Sequence, residues 1–383
     1  MHPHCQVIIL EKSGKILSKV RVSGGGRCNV TNACFDHTQL PANYPRGEKQ
    51  LKSAFSRFSV TDIIQWFERR SVKIKTEDDG RMFPDTDTSE TIINCFLHEA
   101  EKSGIVVKLN TEVEDILRTQ DGFMLQIKGG GEIECDKLLI ATGGNPKADF
   151  YHWLKKIGHT IEKPVPSLFT FNIPANQITK LMGVSAPFVK IKIGKTNLES
   201  EGPLLITHWG MSGPAILKLS AWGARILNAM NYDFSIFINW IPVYNEEKLR
   251  AELAVLRLEN SSRQMVSSRS LDLPKRLWEY ILVKSGIEQN LKWADLSNKN
   301  MNHLINHLLR DEYKVAGKTT FKEEFVTCGG VSLKEVDFKT MQSKVVPDLY
   351  FAGEVLDIDG ITGGFNFQNA WTTGYIAALE IGK

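Results

Sequence analysis

The 383-residue chain has no long apolar run, no excess of charge of either sign and no C-x-x-C cysteine pair. Each absence excludes something. The apolar stretch FSIFINWIPVY at 234–244 falls well short of the roughly 20 residues that cross a bilayer. With no leader-like segment at the start, a cytoplasmic protein without membrane contact is expected. Lys plus Arg number 47 and Asp plus Glu 44, a formal net charge of +3. That balance, without a basic stripe interleaved with aromatics, sets nucleic acid aside and points to a small-molecule substrate. Cys5, Cys28, Cys34, Cys95, Cys135 and Cys328 read as reduced thiols. His303 and His307 stand four apart with no acid of the H-E-x-x-H kind, so no metal is expected and solvated helix positions are. No internal repeat or low-complexity tract is present.

What is there concentrates at the two ends. Near the C-terminus, an apolar strand (Leu349, Tyr350, Phe351, Ala352) runs into Gly353–Glu354. Two acids follow, Asp357 and Asp359, and then Gly363–Gly364 opens a closing helix with Phe365 and Asn366 in its first turn. The first N–H groups of a helix have no intrahelical acceptor and point outward, so strand, glycine turn and helix start can hold an anionic or electron-rich ligand. The other reading is a strand and a surface helix joined by a glycine-rich loop.

At the N-terminal end, VIILE at 7–11 reads as a fully buried strand ending in Glu11, with Lys12 after it. An acid at the tip of a strand in a dinucleotide-binding fold accepts hydrogen bonds from ribose hydroxyls. The following stretch, 13–34, reads as a loop: Gly24, Gly25 and Gly26 allow tight turns, Arg27 offers charge-assisted bonds to a pyrophosphate, and Asn29, Thr31 and Asn32 add short polar side chains. Three glycines in a row are costly to order, which favours a ligand over a solvated loop.

Between these ends, residues 61–70 (capped by Thr61) and 89–103 (stopped by Gly104) show helical spacing. Strands are expected at 105–109, 111–118, 123–128 and 132–141, with KGGGEI at 128–133 as a hairpin turn. The last strand ends in Ala141, Thr142 and Gly143, where backbone can approach a dinucleotide. Residues 166–245 turn β-rich, and VKIKI at 189–193 alternates. Within them THWGMSGPAIL (207–217) predicts a helix with Ser212 as cap and Pro214 in its first turn. His208 before it is the candidate catalytic acid or base, or a His that satisfies turn backbone; Tyr375 and Asp357 are weaker candidates. Phe169, Trp209 and Phe367 line an apolar pocket or are core. Residues 246–310 read as helices.

SGGGRCNVTN at 23–32, GRMFP at 80–84, ATGG at 141–144, THWGMSGPAIL and GEVLDIDGITGGFNFQNAW at 353–371 together resemble the BaiN-like (aminoacetone-oxidase-like) bacterial NAD(P)/FAD-dependent oxidoreductases. These belong to the glutathione-reductase-type FAD-binding superfamily, and the resemblance covers almost the whole chain. It implies an α/β fold: a Rossmann-type FAD domain (1–165 and 322–383) with an inserted β-barrel-like substrate domain (166–245 and 311–321) and a small helical domain (246–310). It implies FAD as cofactor, with Val113, otherwise an ordinary core residue, at the adenine and Gly364, Phe365 and Asn366 at the flavin. Cys328–Gly329–Gly330 is expected near the domain interface. Hydride would pass between flavin and a small organic substrate or transiently docked NAD(P)H, with oxidase and reductase both open.

One feature of that class is missing. Only MHPHCQ precedes the VIILE strand, too little for a strand, a G-x-G-x-x-G turn and a helix. The reading is an N-terminally truncated form, by gene start, by cutting or by natural loss, with FAD bound weakly or not at all. The alternative is a non-catalytic nucleotide-binding or scaffold protein.

Overall fold

In a computed structural model, which describes residues 5–267, 271–320 and 326–383, the chain divides into two units. One is Met1–Ser167 with Phe321–Lys383; the other is Leu168–Thr320. The expected boundary at 321–322 and the first residues of the return segment lie outside the described residues.

The first unit opens with β1 (Ile8–Leu10), α1 (Ser18–Gly26) and β2 (Thr31–Asn32). The stretch expected as loop thus carries a helix. Val20 anchors it in the core, and helical angles are lost from Ser23 to Gly25. α2 (Glu48–Phe55) and α3 (Val60–Glu68) follow. The cap of α3 is Ser59, not Thr61: its backbone N–H donates to Asp62 at 2.7 Å in a capping box. β3 (Ile74–Thr76) pairs with β4 (Arg81–Pro84), which also takes β2. α4 (Ser89–Lys102) leads to β5 (Val106–Lys108), parallel to β1. β6 (Val113–Arg118), β7 (Phe123–Ile127) and β8 (Glu132–Cys135) form an antiparallel meander, and Gly129–Gly131 turn β7 into β8. The single strand expected over 132–141 is two, because the chain leaves the meander after β8 and enters another sheet as β9 (Leu138–Ile140). α5 (His152–Lys156) and β10 (Ile161–Ser167) complete this pass.

In the second unit, β11 (Thr170–Asn172), β12 (Ser185–Ile193), β13 (Glu199–Ile206), β14 (Gly210–Ser212), β15 (Asp233–Asn239), β16 (Asp311–Ala316) and β17 (Lys318–Thr319) form one sheet. Its order is β16-β15-β12-β13-β14-β11-β17. Helices α6 (Pro214–Trp222), α7 (Ala224–Ala229), α8 (Glu246–Glu259), α9 (Lys275–Lys284) and α10 (Asn298–Leu309) complete the unit. Ser212 ends β14 rather than capping α6. The cap is Gly213, at φ 96°, where a Cβ would lie 2.9 Å from Pro203 O, and Pro214 takes the first helical position as expected. Alternate residues of β12 and β15, including Ile191, Ile193, Ile236 and Ile238, share one core with Leu249, Leu253, Ile281 and Leu304 of the helices. His303 is exposed, whereas His307 is half-buried with its ring 3.0 Å from Ser285 Oγ, a departure from the solvated position expected.

The chain returns to the first unit as β18 (Val326–Val331), antiparallel to β10, then β19 (Val336–Asp337), β20 (Gln342–Ser343), β21 (Leu349–Phe351) and α11 (Phe365–Ile381). β21 lies parallel to β9 in the order β19-β20-β21-β9. VIILE is not fully buried: Val7, Ile8 and Ile9 are 43%, 37% and 44% exposed. Among the described residues β1 has one neighbouring strand, so the parallel strands form two separate pairs, β1–β5 and β9–β21.

Candidate cofactor site

The start of α11 organises the site. Gly364, at φ 97°, is its N-cap and carries no side chain to satisfy the helix's first N–H groups. A Cβ there would lie 2.4 Å from Thr31 O, so only glycine lets α11 start against β2. Here the structure brings together residues over 330 positions apart. Asn32 Nδ2 donates to Gly363 O at 3.0 Å and Thr31 Oγ1 to Gln368 Oε1 at 2.6 Å. Asn29, with its amide oxygen turned to Gly364, accepts that N–H at 3.0 Å and donates to Thr31 O at 3.0 Å.

The neighbouring side chains are held in place. Asn366 closes the loop before it, accepting from Gly360 N at 2.8 Å and donating to Gly360 O at 3.0 Å. Phe365 is buried and its carbonyl accepts from Tyr44 OH at 2.6 Å. Phe367 stacks on Trp371 at 5.4 Å between centroids, and Trp371 continues the stack onto Phe96 and donates to Val30 O at 2.9 Å. Of the weaker candidates, Tyr375 stacks on Phe58 at 4.1 Å and Asp357 is buried.

The other candidates fall into two groups. The ends of β9 and β21 lie side by side, since Ile140 and Phe351 are paired, which places Ala141, Thr142 and Gly143 beside Gly353 and Glu354. Gly353 N donates to Thr373 Oγ1 at 2.9 Å. Glu354 accepts from Thr327 N at 2.7 Å and from Lys19 Nζ at 2.6 Å. Glu11 follows β1 and accepts from Ser13 N at 2.8 Å. Lys12 Nζ sits 5.5 Å above the Phe150 ring, and Val113 begins β6 opposite Ile127.

Two further charged candidates are, like Glu354, engaged within the protein. Arg27 lies flat on Phe83, 3.9 Å from its centroid, and pairs with Glu77 at 2.6 Å and Asp87 at 3.4 Å; the Glu77 bond raises its pKa further. Asp359 is fully buried and held by Arg46, whose Nε approaches to 2.5 Å, and by Ser167 Oγ at 2.6 Å. Burial pushes the Asp359 carboxyl upward, against Arg46 and Ser167, which pull it down. Cys28 is buried and its thiol is pushed up to about 12, far from a reactive thiolate. His208 belongs to the second unit, exposed on the turn from β13 to β14, its ring 4.4 Å from that of Trp209.

These residues leave room and polar partners for the polar part of a cofactor. Gly25 and Gly143, at φ 70° and 72°, have nothing within 4 Å of where a Cβ would stand. Among the described residues Thr327 Oγ1 and Asn369 Oδ1 are buried with no partner, a hydroxyl and an amide oxygen that a polar ligand or water can use. Sequence reasoning missed Gln368, Asn369 and Thr373. Their signal was present: polar residues on the buried side of an otherwise apolar helix, where each needs a partner.

The profile described as "HI0933-like protein Rossmann domain" matches residues 1–380. A protein named ribosomal RNA dihydrouridine synthase, from Haemophilus influenzae, is 31% identical over 98% of this chain and 92% of its own length. A 3-dehydro-bile acid delta(4,6)-reductase from Clostridium scindens is 25% identical over 97% of this chain and 91% of its own. The solved structure of a 3-ketosteroid-delta4-(5alpha)-dehydrogenase from Rhodococcus jostii RHA1 aligns with a TM-score of 0.48 at 11% identity, covering 98% of this chain and 92% of that one.

Proposed function

We propose that this chain, which belongs to the HI0933-like Rossmann-domain family of FAD-dependent oxidoreductases, saturates a carbon–carbon double bond conjugated to a carbonyl group. The observation that carries the reading is the start of α11, where a side-chain-free cap and N–H groups without intrahelical acceptors are pinned to β2. When bound, FAD supplies the hydride chemistry. The chain's own part is orientation and electrostatics. The N–H groups of Phe365, Asn366 and Phe367 face developing negative charge, and the Asn366–Gly360 pair and the Trp371 stack keep them in place. Glu11 would be the ribose acceptor, and Lys12 and Val113 would hold the adenosine. Gly25, Gly26, Thr142, Gly353 and Glu354 would hold the cofactor's polar tail.

The substrate class is the chemistry shared by two relatives' names. A dihydrouridine synthase saturates the ring double bond of uridine, and a delta(4,6)-reductase saturates double bonds conjugated with a 3-keto group. The substrate is therefore either a uracil base of ribosomal RNA or a small enone. The base reading, favoured by the relative at 31% identity, needs no basic stripe over the whole chain if a single base enters the site. NAD(P)H is the electron donor, and the protein acts in the cytoplasm.

FAD binding is weak in this chain. Arg27 is tied to Glu77 and Asp87, and β1, which would carry the ribose acceptor, leaves Ile8 and Ile9 in solvent. Visible spectra and NADPH consumption test both parts. Purified protein is expected colourless after gel filtration, yellow with excess FAD, and then active on unmodified ribosomal RNA or on a 3-keto-4,6-diene. Stoichiometric FAD retained through purification would sink the weak-binding part. No flavin uptake at millimolar FAD would sink the oxidoreductase reading of this chain and favour a non-catalytic binding protein.

A further inference from the structure

The second unit holds a cation that the chemistry above does not use. Lys318, the first residue of β17, is half-buried and has no carboxylate within 4 Å among the described residues. Its ammonium lies 5.1 Å from the centroid of Tyr232 and 5.9 Å from that of Phe169, and those two rings meet edge-to-face at 5.4 Å. Burial lowers its pKa. Aromatic faces compensate a desolvated ammonium only in part.

The surroundings are built rather than incidental. Asn231 and Tyr232 are both left-handed, at φ 53° and 57°, a conformation that a bulky residue such as tyrosine rarely adopts. The strain is held by three bonds. Gly317 N donates to Tyr232 O at 2.8 Å, Asn172 N to Gly317 O at 3.1 Å, and Asn228 Nδ2 to Tyr232 OH at 2.9 Å. The residue before Lys318 is thus tied directly to the residue whose ring the lysine faces. On the other side of β11, Thr170 Oγ1 donates to Thr319 O at 3.2 Å and accepts from Trp209 Nε1 at 2.9 Å. Trp209 in turn carries the exposed His208.

We propose that Lys318 is an oxyanion-binding residue of the second unit, with Phe169 and Tyr232 as the apolar wall beside a bound phosphate or carboxylate. An anion supplies a counter-charge that no described residue provides within 4 Å, and a charge-assisted bond in a half-buried setting is strong. A nucleotide phosphate and an organic acid offer the same chemistry here. Every residue of the argument lies between 168 and 320, so the proposal stands or falls independently of flavin binding.

Amine-directed labelling of the full chain at pH 8, mapped by mass spectrometry, tests it. Lys318 is expected to label faster than an exposed, ion-paired lysine such as Lys314, and inorganic phosphate is expected to slow that labelling severalfold. Protection by uridine monophosphate but not by cholate assigns the anion to a nucleotide; the reverse assigns it to an organic acid. Lys318→Met should weaken anion binding by about tenfold or more, the scale of a hydrogen bond to a charged group. Lys318→Arg, which keeps the charge, should retain binding and controls for folding. Labelling that none of the three anions alters, or a Lys318→Met variant that binds them as the parent does, overturns the proposal.

Discussion

β1–β5 and β9–β21 are the same object on paper: two parallel pairs with three registered residues each, both read from short apolar runs. In the molecule they differ completely. Leu349, Tyr350 and Phe351 of β21 are buried, because β20 flanks the strand on its other edge and α11 packs against it. Ile8 and Ile9 of β1 are exposed, because no second strand adjoins them among the described residues. An apolar run specifies a strand; its burial is decided by neighbours on both edges and both faces, which the run does not encode. The half of the site that meets α11 is therefore the more firmly held, with β21 flanked by β20 and covered by α11, while the β1 half is a ledge.

The largest test of that contrast breaks the closing half at Arg46. Its guanidinium is 11% exposed and holds the fully buried Asp359 of the loop that leads into α11. Arg46→Ala leaves that acid without its partner, and removal of one member of a buried pair typically costs about 3–5 kcal/mol. Urea unfolding should show a midpoint shift of that size with little change in slope. A loss under 1 kcal/mol would mean that the loop is held elsewhere and the two halves are closer in rigidity than argued.

A matched pair of glycine substitutions comes next. Gly364 and Gly25 both have positive φ, 97° and 70°, so alanine is strained at either. They differ in space: a Cβ at Gly364 meets Thr31 O at 2.4 Å, and one at Gly25 meets nothing within 4 Å. Gly25→Ala should cost about 1 kcal/mol, the backbone term alone. Gly364→Ala should cost roughly 2–3 kcal/mol more, because overpacking against backbone is added. Thermal unfolding of the two variants side by side checks the difference; equal costs would show that β2 can move away from α11.

The same contrast explains what was legible in the sequence. The closing strand, the glycine cap at Gly364 and the helix after it were readable because each signal is local: an apolar run, two glycines, then helix formers. The cap of α3 was misplaced by two residues, since Thr61 and Ser59 both look like caps and only the Asp62 bond selects between them. The break between β8 and β9 was not readable, because it depends on β21, over 200 residues away. The joining of Asn29, Thr31 and Asn32 to Gly363, Gly364 and Gln368 was readable only as two lists of polar residues, since nothing in one stretch names the other. Arg27 looked free for a ligand because Glu77 and Asp87 approach it through the β3–β4 hairpin and the loop after it.

The smallest effect is the most direct check on the ledge. Ile9 is 44% exposed, so Ile9→Thr removes little buried apolar surface and keeps a β-branched side chain in the strand. Its cost should stay within about 0.5 kcal/mol, as for other surface changes. Tyr350→Thr, in the matching central position of β21 and 5% exposed, should cost several times more. A large loss for Ile9→Thr would mean that β1 is covered in solution, by a strand or a partner that gives it the second edge that β21 already has.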